Sequence, residues 1–196
     1  MVWDYEESAI YINLESEGLL NFYNNEPHTM ILGVIQLAEP KGFTKLLKSP
    51  EVIKQILETG KAEETILQLD RFVVTPGTRT SLLIDRAQDA KVVGVVAGYF
   101  NFDAIKSSRL FKIPPIIKED GVFSTTYKAT PGILGLHFVL GSHQFIDVKI
   151  LDYDAELGKI VEKESLDDAR DSEVVITVED LKREYKDFKP TMKLSD

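Results

Sequence analysis

The sequence predicts a mainly β fold, a sandwich of two sheets with one lateral helix. Three observations carry that prediction: a series of short apolar segments separated by turn formers, a single segment with both helix start and stop signals, and the uncharged run at the heart of KVVGVVAGYFNF, residues 91–102. That run is about half of the ~20 residues a membrane-spanning helix needs. It also lacks the strand-loop-helix setting of a phosphate-cradling glycine loop. A strand buried on both faces is the reading left. Val92, Gly94, Val96, Gly98 and Phe100 then share one face, and Val93, Val95, Ala97 and Tyr99 the other. The small residues let a neighbouring layer approach closely.

The remaining elements follow in order. Residues 9–14 (AIYINL) alternate, with Ile10, Ile12 and Leu14 on one face. A second strand, Thr29–Leu37, is reached through the long link Glu15–His28, which carries Asn21, Asn24, Asn25 and Pro27. Hairpin loops run about two to five residues, so a link of this length is functional or crosses between sheets. Ser49-Pro50-Glu51 offers an N-cap, a proline at the first helical position and an acid in the first turn, and Gly60 a stop. The stripe Val52, Ile53, Ile56 and Leu57 gives this helix an apolar face. Then come Thr65–Val74, a type II turn at Thr75-Pro76-Gly77-Thr78, Thr80–Asp85 and the buried run. An irregular stretch with Pro114-Pro115 extends to about Lys118, before strands at Val122–Lys128, Leu134–Leu140 and Phe145–Leu151.

Past Asp152 the composition changes. Residues 1–152 read as the sandwich domain and 153–196 as a charged C-terminal extension. Glu162–Ser172 resembles a linker, Glu173–Thr177 fits a short strand, and Thr177-Val178-Glu179-Asp180 opens a helix through Lys186. Leu181, Tyr185 and Phe188 make its apolar stripe, which caps the sandwich or meets a second component.

Composition narrows the function. The 196 residues are 43% hydrophobic and 28% charged, as in a globular protein. A net charge of −9 with no basic cluster argues against nucleic acid or an anionic membrane surface as main partner. The chain has no cysteine, which excludes thiol catalysis, disulfides and thiolate metal sites. Met1–Glu7 has neither a basic nor an apolar leader region, so a soluble chain is expected.

Chemistry-bearing motifs are weak. His137 and His143 have no third ligand nearby in sequence, and no G-x-S-x-G elbow accompanies any histidine. Asp152, Asp154 and Glu156 alternate like the first ligands of a calcium loop, but the glycine falls one residue late, at Gly158. No cofactor is expected. The link is the better candidate: Leu19, Leu20, Asn21, Phe22 and Tyr23 place apolar and aromatic side chains in a segment otherwise fit only for solvent. Such residues fold back onto their own core or meet a partner.

Four stretches carry a resemblance. Leu20-Asn21, the proline-led strand Pro27–Leu37 ending in Gln36-Leu37, the turn Val74-Thr75-Pro76-Gly77 and the run Val92–Tyr99 follow one another as in the outer-membrane lipoproteins of the type VI secretion system, the TssJ (SciN) family. The likeness covers roughly residues 9–150. It implies a transthyretin-like sandwich at the periplasmic face of the outer membrane, held by lipid on an N-terminal cysteine absent from this chain. It also implies a non-enzymatic adaptor that binds the periplasmic C-terminal domain of the inner-membrane subunit TssM, through the loop corresponding to Glu15–His28. The expected partner-facing residues are therefore Leu19 to Tyr23, with the exposed face of helix 49–59 as a secondary contact. Ser108-Arg109-Leu110 departs from the family pattern by keeping an arginine and losing the tryptophan that commonly follows it. The alternatives are a ligand-binding or calcium-dependent adhesive sandwich using Asp152–Glu156, or a transthyretin-like hydrolase. The hydrolase requires His28, His137 and His143 to converge with an arginine in one cleft.

Overall fold

The computed structural model describes residues 2–120, 126–154, 159–162 and 172–183. A five-stranded sheet is built from β1 (Glu6–Ser16), β4 (Arg79–Arg86), β9 (Leu134–Leu140), β10 (Phe145–Asp154) and β11 (Lys159–Glu162), in the order β11-β10-β9-β1-β4. A four-stranded sheet has the order β3-β2-β5-β6, from β2 (Met30–Leu37), β3 (Gln68–Val74), β5 (Val92–Ala97) and β6 (Ser108–Lys112). β7 (Pro115–Asp120) and β8 (Thr126–Pro131) form a separate two-stranded ribbon. The fold is the expected two-sheet sandwich.

The long link does cross between sheets, since β1 and β2 lie in different ones. The Thr75–Thr78 turn crosses as well, from β3 to β4. Gly77 takes φ 70°, as a type II turn requires. Ser16 pins this corner: its hydroxyl donates to Thr75 O at 2.7 Å and accepts from Thr78 N at 2.9 Å. β1 pairs antiparallel with β4 and parallel with β9, so the N-terminal strand joins the two halves of the larger sheet.

The alternation in each strand decides which layer it serves. Ile10, Ile12 and Leu14 of β1 meet Leu32 and Val34 of β2, Val93 and Val95 of β5, and Leu136 and Phe138 of β9 between the sheets. Ile35, Val92, Val96 and Leu110 leave the other face of the smaller sheet and meet a helical layer. β5 is buried along its full length. The strand ends at Ala97, earlier than the sequence suggests, so Phe100 lies beyond it, outside the strand's apolar face.

The helical layer holds two helices. α2 (Pro50–Thr59) starts at its proline, carries Glu51 in its first turn and is closed by Gly60 at φ 73°, but the Ser49 side chain makes no capping hydrogen bond. α1 (Pro40–Leu47) was not expected. Phe43, Leu46 and Leu47 bury its inner face, and a Cβ at Gly94 would run into the ring of Phe43. Glycine at 94 thus sets the distance between α1 and the sheet. Two further strands lie in the stretch read as irregular: β6, and β7 with Pro115 as its first residue, where proline removes no needed donor. The β10–β11 ladder continues past residue 152. Residues 163–171 of the expected linker Glu162–Ser172, the calcium candidates beyond Asp154, and Tyr185 and Phe188 lie outside the described residues. The helix that opens at Thr177 is α3 (Val178–Arg183), with Thr177 and Asp180 exchanging capping hydrogen bonds.

At the start of β1, Ser8 adopts φ 52° where the ladder with β4 shifts register. Its N–H donates to Asp85 at 2.9 Å, and the Tyr5 hydroxyl donates to the same carboxylate. These bonds hold the Asp85 carboxyl below its ordinary value, the Tyr5 bond foremost, and that same Tyr5–Asp85 bond leads in pushing Tyr5 up to about 12. Stability from Asp85 is therefore present above its unfolded value of 3.8 and is lost as pH falls through the lowered folded one. Stability from Tyr5 is present below 10.0 and is lost as pH rises toward about 12. Melting curves across both windows are expected to show these declines. The Asp85→Asn variant should lose the acidic dependence; an unchanged acidic profile would assign it elsewhere.

Candidate functional site

The Glu15–His28 link is a folded unit rather than a free loop. Glu17 N–H donates to Leu140 O at 2.9 Å and extends the β1–β9 pairing. Leu20 N–H then returns to Glu17 O, and Phe22 N–H reaches Ser142 O in the β9–β10 turn at 3.0 Å. Tyr23 and Glu26 exchange both backbone hydrogen bonds, at 2.9 and 3.1 Å, around Asn24 and Asn25 at φ 50° and 63°. Two central residues with positive φ make a type I′ turn, which asparagine tolerates well. His28 N–H donates to Leu20 O at 3.0 Å and closes the base.

The five expected partner residues separate by burial. Leu20 is in the core between the sheets, and Asn21 is only 3% exposed. Neither side chain faces outward, which corrects the expectation that all five form the contact surface. Leu20 instead anchors the link as any core leucine would. Asn21, at φ 48°, accepts a hydrogen bond from Phe100 N at 2.9 Å and donates to Thr29 O at 3.3 Å. Leu19 and Tyr23 are exposed, at 57% and 42%, and Phe22 is half-buried.

Two residues outside the expected set complete the surface. Phe100, 57% exposed, stacks on Tyr23 with ring centroids 4.6 Å apart and an interplanar angle of 20°. His28 meets Phe100 edge-on at 5.1 Å, and its Nε2 lies 3.0 Å from Tyr23 O. The sequence signal for the turn was the pair of turn formers Asn24-Asn25, followed by Pro27. Nothing in the sequence places Phe100 beside Tyr23, because that contact depends on the Asn21 bridge. Phe100 also lines a groove of about 570 Å3 against α2, together with Ile31, Leu57, Tyr99 and Phe102. Glu51, Lys54 and Glu58 border it, so the exposed face of α2 continues the aromatic surface. Behind the surface, the Tyr99 hydroxyl donates to Gln144 O at 2.9 Å, and burial raises its pKa, which keeps it neutral.

The three histidines lie on three different elements. His28 sits in the link, His137 on β9 opposite Asn13 and Lys149, and His143 in the β9–β10 turn. Among the described residues no group of three or more His, Cys, Asp or Glu is placed to hold a metal ion. The arrangement presents a fixed aromatic plate, a geometry suited to contact.

The sequence pattern of the type VI secretion lipoproteins (VasD, EvfM, TssJ) matches residues 8–127, more than half of the chain. The chain belongs to this family. The matched span runs from β1 into β8, and includes the link, both helices of the lateral layer and Phe100. No curated protein sequence matches the chain. Among solved structures it is similar to the type VI secretion lipoprotein TssJ1 from Pseudomonas aeruginosa, with 14% identity, a TM-score of 0.49, and coverage of 75% of this chain and 95% of that one. The Serratia marcescens protein Lip, described as a membrane-bound component of the type VI secretion system, gives 18% identity, a TM-score of 0.49 and coverage of 76% and 99%. A chain of a type VI membrane complex gives 15% identity, a TM-score of 0.49 and coverage of 75% and 98%. By its family, the protein is a component of the type VI secretion system.

Proposed function

We propose that this TssJ-family protein is a non-enzymatic periplasmic adaptor of the type VI secretion membrane complex. In this reading it is held at the outer membrane by a lipid outside the present chain, and it anchors the periplasmic C-terminal domain of a TssM-type inner-membrane subunit. The contact surface is Leu19, Phe22 and Tyr23, joined by His28 and Phe100. The observation that carries the proposal is the exposed Tyr23–Phe100 stack on a hydrogen-bonded link, in a chain of this family. Aromatic side chains of few rotamers lose little entropy when covered and dominate many interfaces. The acidic residue Glu26 pairs with Tyr23 across the turn, so a basic group on the partner would complement it.

Titration of the chain with the periplasmic C-terminal domain of its cognate TssM-type protein tests the proposal. Saturable binding is expected, weakened at least tenfold by Tyr23→Ala or Phe100→Ala, about 1.4 kcal/mol or more. Binding that ignores both variants would move the site elsewhere. No binding between two folded proteins would remove the proposal.

A further inference from the structure

β6 is the outer strand of the four-stranded sheet, and a strand in that position leaves one row of backbone groups unpaired by the sheet. Here the chain covers that row with its own later residues. Glu173 bridges antiparallel to Phe111, and Val174 N–H donates to Leu110 O at 2.7 Å. Val174 and Ile176 turn inward onto the helix-side core, with Leu181 of α3 beside them, while Val175 faces out. The alternation is that of a strand. Glu173 meets the Arg109 guanidinium at 3.4 Å. Arg109 is fixed from the sandwich side, donating to Ile105 O and Ser108 O at 2.7 Å each and lying over the Phe145 ring. The cation therefore stays in place whether or not Glu173 is present.

The described backbone pairing of the cover with β6 is short, one bridge and the Val174 hydrogen bond. A cleft of about 230 Å3 lies between it and Ala104–Leu110, and another of about 330 Å3 separates it from Pro40, Lys41 and Thr44 of α1. Segments with few contacts open at small free-energy cost, well below global unfolding. We propose that the β6 edge is a strand-addition site, that Glu173–Ile176 occupies it in cis, and that a partner's extended segment displaces this strap. The segment it fits carries an acid to meet Arg109, followed by alternating β-branched residues for the Val174 and Ile176 positions. Backbone pairing supplies affinity in such a site, and the acid and apolar positions supply choice. The site stands independently of the aromatic surface.

The test uses the full chain and a fluorescent peptide of residues 172–178, SEVVITV. In Val174→Pro the strap loses its N–H donor, and the freed edge should bind the peptide at least tenfold more tightly than the wild type does. Lysine in place of the peptide's glutamate should weaken binding at least fivefold. Equal binding by wild type and variant, or indifference to the lysine, overturns the proposal. Dimerisation of the variant without peptide binding overturns the peptide as occupant. In the unaltered chain, the Val174 amide should exchange with deuterium at least a hundredfold faster than the amides of β5. Equal protection would show a fixed part of the sheet and end the idea.

Discussion

Gly94→Ala is expected to destabilise the protein by about 1–3 kcal/mol, the range for overpacking a well-filled core. For a chain of this size that is a fall in melting temperature of roughly 3–10 °C. The cause is specific. Gly94 is buried in the middle of β5, paired with Ile35 on one side and Leu110 on the other, so its backbone cannot retreat without breaking two ladders. The Phe43 ring occupies the place of the missing side chain and is itself fully buried. Either the ring leaves its rotamer or α1 lifts from the sheet. Shortening the ring should recover part of the loss, so Phe43→Leu combined with Gly94→Ala should cost less than the sum of the two changes. Gly18→Ala serves as the control, because a Cβ there meets nothing within 4 Å. A Gly94→Ala protein that melts like the wild type would mean that α1 does not rest on this strand.

The same contact explains what could and could not be read in advance. β5 was legible because nine residues without charge admit few other soluble settings, and its glycines implied a close neighbour. The identity of that neighbour was not legible. α1 hides behind Gly42, which costs about 1 kcal/mol of helix propensity, and its apolar residues Phe43, Leu46 and Leu47 are too few to declare a period. Burial of the three against β2 and β5 overrides the propensity. β6 and β7 were obscured by Pro114-Pro115, which reads as a loop but here begins an outer strand. At the contact surface, apolar content marked the right link but not which side chains point outward. Leu19 and Leu20 are neighbours of one residue type, and only the tertiary fold assigns one to solvent and the other to the core. The Tyr23–Phe100 stack joins positions 77 residues apart, beyond the reach of any local pattern.

Asn21→Ala should carry the second large effect, about 2–4 kcal/mol of stability, and should also disturb the surface it supports. Three terms add. Alanine at φ 48° meets the left-handed penalty of about 1 kcal/mol. The Phe100 N–H loses its acceptor and the Thr29 carbonyl its donor, two part-buried hydrogen bonds worth about 0.5–1.5 kcal/mol each. Asn21→Gly separates these terms, because glycine relieves the backbone but restores neither hydrogen bond; it should fall between wild type and alanine. Asn21→Asp keeps an acceptor for Phe100 but turns a second oxygen toward Thr29 O, so it should also be destabilised. The consequence for function runs through Phe100, whose N–H is held only a few atoms from the ring that stacks on Tyr23. In the alanine and glycine variants the Phe100 amide should exchange faster with deuterium while the β5 amides stay protected. Affinity for the TssM-type domain should fall in the same order as that protection. If the Phe100 amide loses protection and affinity stays constant, the plate does not need to be fixed to be recognised, and Leu19 and Phe22 become the stronger candidates for the contact.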